Sequence, residues 1–140
     1  MAVSFANGCA PVASTPPATL SQHWLIGVER MHNDPALLAP YTNRFMAVLA
    51  GMPKTQVVYL GSDKNAHLFS AEGDNKLIVY PSLRAEGSCM EIAYTVFRAG
   101  QQVGSFGLVV PALQAGVEPD SACVDRAASS LYLALAQQGL

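Results

Sequence analysis

The last third of the chain constrains the fold more than any other part. An alternating segment, Cys89-Met-Glu-Ile-Ala-Tyr-Thr-Val-Phe-Arg98, runs into the turn Ala99-Gly100-Gln101. A second apolar strand follows, Gln102-Val-Gly-Ser-Phe-Gly-Leu-Val-Val110, and a loop then opens an amphipathic helix at Pro119-Asp120. Period two on both sides of a short turn with glycine predicts a β-hairpin. In the helix, Val124, Ala127, Ala128, Leu131 and Leu135 fall on one apolar stripe. Glu118 and Asp120 stand at its start, where the macrodipole favours negative charge. A hairpin feeding a terminal helix is the closing unit of an α+β domain.

Upstream, the reading begins with helices. Ser21 is placed to cap a helix whose apolar residues Trp24, Leu25, Val28 and Met31 recur at helical spacing. Asn33-Asp34-Pro35 marks a break and a fresh start, and Pro40 lies deep enough to kink or restart that second helix. From Tyr41 onward Phe45, Val48 and Leu49 share a side, until Gly51 and Pro53 end the segment. The period then switches to two. Thr55–Leu60, Ala66–Ser70 and Lys76–Tyr80 read as strands, the last closed by Pro81. The expected order is helix, helix, five strands, helix. Short connections between the strands predict an antiparallel sheet, with the N-terminal helices and the C-terminal helix packed on one face.

The 140 residues suffice for one domain with a real core. Residues 1–20, with Pro11, Pro16 and Pro17 among small polar neighbours, read as a flexible arm, and residues 21–140 as a single α+β domain. Met1 to Thr19 carry no Lys or Arg, so the charged start of a secretory signal is missing. Charged residues make up 13%, about half of what soluble domains usually carry, which points to surface hidden against a partner, most simply a second copy. The last helix, rich in alanine from Ala122 to Ala136, is the expected seam of a twofold dimer, with Ala127 and Ala134 as the residues to test. A net charge of −2 without a basic run excludes a nucleic-acid footprint. No apolar stretch reaches the ~20 residues of a membrane span. Three cysteines, Cys9, Cys89 and Cys123, form no CxxC pair and read as free thiols in the cytoplasm.

The run Ile92–Val110 resembles the closing hairpin of GAF-type sensory domains: a strand, a turn with glycine, then Val103-Gly104 leading to Leu108, a loop and a helix. Val117-Glu-Pro-Asp120 and a helix with Ala127, Ala128, Leu131 and Ala134 are similar to that family's ending. The resemblance covers roughly residues 75–140 and implies a non-catalytic regulatory module that senses a small ligand or binds a protein. The span 82–88 is too short for the extra helix the family carries there. A profilin-like or roadblock scaffold and a small secretion chaperone share this order of elements and define the alternative, a protein-binding module.

Candidate chemistry is sparse. His23, His32 and His67 are not spaced as metal ligands, and no Cys or carboxylate cluster completes a zinc set. Cys89 and Cys123 are placed to meet if the last helix covers the fourth strand, yet neither has the adjacent cation that activates a thiol. No phosphate cradle, nucleophile elbow or acid–base pair stands out, so no cofactor and no reaction is implied. The competing class is a small enzyme whose residues converge only in three dimensions. Within the fourth strand, Met90, Ile92, Tyr94 and Val96 form an apolar face, while Cys89, Glu91, Ala93, Thr95 and Phe97 form the other. That second face is either the solvated side of the sheet or the floor of a groove. In the groove reading Glu91, Thr95 and the hydroxyls of Tyr59 and Tyr80 are polar handles. A closed sensor pocket is expected to be lined by Tyr59, Tyr80, Tyr94 or Phe97.

Overall fold

The computed structural model describes residues 19–31, 40–61, 75–83, 88–113 and 120–140. The expected arm, the helix start at Asp34-Pro35, the strand at Ala66–Ser70 and the histidines His32 and His67 lie wholly or mostly outside these residues. Along the chain come β1 (Trp24–Val28), α1 (Pro40–Ala50), β2 (Thr55–Tyr59), β3 (Asn75–Leu83), β4 (Ser88–Arg98), β5 (Gln101–Pro111) and α2 (Ser121–Gln137). The strands form one five-stranded sheet in the order β2-β1-β3-β4-β5. This is an α+β fold, and its sheet is mixed: β1 runs parallel to β2 and β3, whereas β3–β4 and β4–β5 are antiparallel.

Two expectations fail in the first half. Residues 24–28 are a strand, not a helix. A five-residue apolar run fits a buried helix or a buried strand equally well by periodicity, and two-sided burial decides. Trp24, Ile26 and Val28 face the main core, while Gly27 lies beneath Leu60, whose Cδ1 would stand 2.6 Å from any Cβ there. The sheet is therefore not wholly antiparallel. α1 supplies the crossover between parallel β1 and β2, and the connection through 60–74 is long enough to bring β3 back beside β1 in the same direction.

Pro81 does not close the third strand either; it pairs with Ile92 inside the β3–β4 ladder. β1 pairs with β3 only as far as Val79, so the side of Pro81 that lacks an N–H faces no strand. Pro40 restarts a helix, as its position suggested, and Phe45 and Leu49 of α1 are fully buried. The Thr55 hydroxyl lies 2.9 Å from the Leu49 carbonyl and 2.8 Å from that of Met52, which ties the helix end to the start of β2.

α2 buries the stripe read from the sequence: Val124, Ala127, Ala128, Leu131 and Leu135 are inaccessible. Asp120 is its N-cap, accepting from the Cys123 N–H at 3.0 Å. Both helices contribute to the same core on one face of the sheet. A bidentate pair joins them at the surface, Arg44 Nε to Asp125 Oδ1 at 2.6 Å and Nη2 to Oδ2 at 2.7 Å. Arg44 holds the Asp125 carboxyl below its ordinary range, chiefly by that hydrogen bond. Tyr132 of α2 receives the Leu20 N–H at 3.3 Å and donates to the Pro53 carbonyl at 2.7 Å. The Trp24 indole N–H donates to the Leu140 carbonyl at 3.1 Å, and Arg98 lies over the Trp24 ring.

The alanines of α2 are divided: Ala122 is exposed and Ala134 partly buried. Ala127, Ala128 and Ala136 are packed into the protein's own core, so an arginine at 127 would break the monomer rather than a dimer.

Candidate functional site

The β4–β5 hairpin carries the features that bear on function. Its turn is Ala99-Gly100, with φ of +52° and +79°, the signs a two-residue turn with the twist of the flanking strands requires. Two irregularities bound its regular part. Ser88 pairs with Pro111 and Met90 with Val110, so Cys89 is an extra residue on β4. Val96 pairs with Gly104 and Phe97 with Gln102, so Val103 is an extra residue on β5. Bulges re-aim side chains, and both do so here.

Cys89 is turned to the helix side, where it forms a disulfide with Cys123 of α2 across a Cα–Cα distance of 5.7 Å. The sequence reading placed these two residues near each other but left them as free thiols. It also put Cys89 on the face of Glu91, because strict alternation takes no account of the bulge.

The six expected ligand residues do not converge. Tyr94 is buried on the helix side, paired with Val79 and stacked on Phe106 at 5.4 Å. Burial raises its phenol pKa, while a hydrogen bond from Gln138 pulls the other way. Tyr59 pairs with Val28, also on the helix side, but stands on β2, three strands from Tyr94 or about 14 Å at ordinary strand spacing. Tyr80, Glu91, Thr95 and Phe97 share the face opposite the described helices. Phe97 is taken up there by a small apolar cluster with Leu60, Ile78 and Val58. Glu91 lies between Ser82 and Val109, and the Thr95 hydroxyl meets that of Ser105 at 3.2 Å. Among the described residues this face is a half-polar sheet surface. Among the described residues no three His, Cys, Asp or Glu side chains are grouped to hold a metal.

Two features were missed. One is an open cleft of about 320 Å³ on the helix side, lined by Val96, Val103, Phe106, Gln138 and Leu140. The other is the outer edge of β5. Val103, Phe106 and Val109 are 56%, 43% and 55% exposed along it, and Leu113 just beyond is 81% exposed. No described strand pairs with that edge. The signal was present in the sequence, since no Asp, Glu, Lys or Arg occurs anywhere in 99–113.

No protein-family model matches the chain, and no curated protein matches it. Among solved structures it is similar to a PelC dodecamer from Paraburkholderia phytofirmans. That likeness has 8% identity and a TM-score of 0.48, covering 91% of this chain and 96% of the other. It is also similar to protein XCC0632 from Xanthomonas campestris, assigned to DUF330. There the identity is 13% and the TM-score 0.38, with coverage of 89% and 86%. A third, uncharacterized protein shows 16% identity and a TM-score of 0.43 over 86% of this chain and 95% of its own. None of these scores reaches 0.5, and nothing about function or assembly is carried over from them.

Proposed function

We propose that this chain is a non-catalytic interaction module whose working surface is the outer edge of β5. The observation that supports this is the conjunction of an eleven-residue strand whose outer edge has no partner among the described residues, exposed Val103, Phe106 and Val109, and a complete lack of charge along it. Natural edges are usually blunted by charges, especially lysine, because an apolar edge is a template for another chain. Self-association of the module belongs to the same reading. The Cys89–Cys123 bond supports a working place in an oxidising compartment rather than the cytoplasm.

The second reading is small-ligand sensing, in keeping with the GAF-like hairpin and terminal helix. It is supported by the cleft beside Phe106, where the Tyr94–Gln138 hydrogen bond provides a polar group next to an apolar lining. Thermal-shift screening against nucleotides, haem and small metabolites separates the two. The interaction module gives no stabilisation by any of them. A reproducible rise in melting temperature, lost in Phe106→Ala, would overturn it in favour of the sensor.

A further inference from the structure

The two bulges of the β4–β5 hairpin cancel each other. From Phe97–Gln102 beside the turn to Ser88–Pro111 at the far end, both strands advance by nine residues. A ladder without bulges would join those two pairs directly. The protein instead inserts Val103 on β5 and Cys89 on β4, so residues 104–110 are displaced by one position between fixed ends. A second, straight register is therefore open to the same strands, with neither the turn nor Pro111 moving. A one-residue shift turns every side chain of the segment to the other face.

In the straight register Val103 faces Val96, Ser105 faces Tyr94, Gly107 faces Ile92 and Val109 faces Met90, all on the helix side. Phe106 moves to the open face beside Ala93, and Leu108 to a place beside Glu91. The ladder gains the regular pairing that bulges interrupt. The segment itself does little to choose. Of residues 104–110 only Val110 is buried, and Phe106 and Val109, on opposite faces, are both exposed. Each register puts one glycine on each face, Gly104 and Gly107 exchanging places. In the structure Gly107 stands on the open face, where a Cβ would meet nothing within 4 Å. A glycine-rich strand with little buried on either face specifies its register poorly.

The Cys89–Cys123 bond does choose. Cys123 is held in the first turn of α2, its N–H donating to Asp120, and Cys89 reaches it because the bulge turns Cys89 to the helix side. Without the bulge Cys89 alternates with Met90 and shares the face of Glu91, away from α2. Cysteines whose Cβ vectors point apart cannot be bridged. We infer that this disulfide is a register lock: its formation fixes β5 in the bulged register, and the reduced chain also populates the straight one. A disulfide-bearing oxidant supplies the step. Its S–S bond breaks as the Cys89–Cys123 bond forms, and it leaves as two thiols holding the two electrons and two protons the cysteines gave up. A dithiol reverses the exchange with the same balance. Both cysteines are buried, so the bond is shielded once made. In the straight register Phe106 leaves Tyr94 and the cleft that it lines. The inference stands on the strand pairing alone. What it adds to the interaction reading is a condition, that β5 is confined to its present faces only after oxidation.

The test is NMR on the full chain carrying Cys9→Ser, oxidised and then reduced with excess dithiothreitol. In the oxidised protein the Phe106 ring should contact Tyr94 and not the Ala93 methyl. On reduction, contacts from Phe106 to Ala93 should appear, from a register populated to about 10% or more. Deleting Val103 removes the β5 bulge and makes the present pairing of 104–110 the one continuous with the turn. That variant should therefore keep Phe106 on Tyr94 in both redox states. A reduced parent chain that shows only the oxidised contacts would overturn the inference. So would a reduced parent that unfolds as a whole, or a reduced deletion variant that still gains the Ala93 contact. None of these outcomes bears on the interaction module, which the metabolite screen decides separately.

Discussion

The two outer strands of the sheet are built to opposite specifications. β2 is five residues long, follows Lys54 and ends at Tyr59 before Gly61 turns the chain at φ +78°. β5 has eleven residues, no charge and exposed apolar side chains on both faces. The first is protected by being short, one of the common ways a protein blunts an edge. The second has a bulge at one end and a proline at the other, with nothing to deter pairing between them. Packing behind the two differs as well. On the β2 side, Gly27 lets Leu60 settle onto the sheet within a satellite cluster. On the β5 side, anchorage comes from the Cys89–Cys123 bond and from Arg126, which donates to the Pro111 carbonyl at 2.7 Å. Among the described residues neither outer edge has a partner strand, but one is short and the other is long, stiffened and neutral.

The strongest way to break this contrast is to remove the anchor. The disulfide spans 34 residues, which in the chain-entropy account is worth about 4 kcal/mol. Cys89→Ser with Cys123→Ser should lower the urea midpoint by a corresponding amount. Amide exchange should rise more in β4, β5 and α2 than in β1 and β2. Uniform acceleration everywhere would mean that the bond stabilises the whole domain rather than the hairpin side.

The glycine contrast comes next. Gly27→Val should cost ~1–3 kcal/mol, because the added atoms overlap the Leu60 side chain. Gly107→Val should fall within ~0.5 kcal/mol of the parent monomer, as surface changes generally do. Equal costs at the two sites would remove the distinction between a closed and an open half.

A smaller effect is expected at alkaline pH. Burial raises the folded-state pKa of Tyr94, so its contribution to stability is full below the unfolded tyrosine value and is lost as pH rises through the folded one. Tyr94→Phe forfeits about 1 kcal/mol of hydrogen bonding near neutrality, and the gap to the parent should narrow in alkaline melts. The smallest effect is at the exposed Arg44–Asp125 pair. Its depressed Asp125 pKa gives stability above the unfolded aspartate value that is lost as pH falls through the folded one. Arg44→Gln should barely change neutral melting, and any difference from the parent should vanish in acid.

How far the sequence could be read depended on how local each signal was. The hairpin, its turn, the start of the last helix at Asp120 and the α2 stripe all depend on spacing within a few residues, and all are found in the structure. β1 was misread because Trp24-Leu-Ile-Gly-Val28 is apolar throughout, and only its neighbours β2 and β3 make it a strand. The mixed sheet followed from the same error, since parallel pairing is set by connections and not by period. At the site, the alternation of Met90, Ile92, Tyr94 and Val96 against Glu91, Thr95 and Phe97 was legible. The bulges at Cys89 and Val103 were not, because an extra residue is defined only against a partner strand. The neutral run 99–113 was visible but had no meaning until β5 was seen to be an edge.

The central claim is that the two edges differ in what they await. It is tested most directly by hydrogen exchange of the backbone amides at low and at high protein concentration. Protection of residues 104–110 should increase as concentration rises, while that of residues 55–59 stays constant. Protection independent of concentration in β5, or a rise confined to β2, would contradict the account.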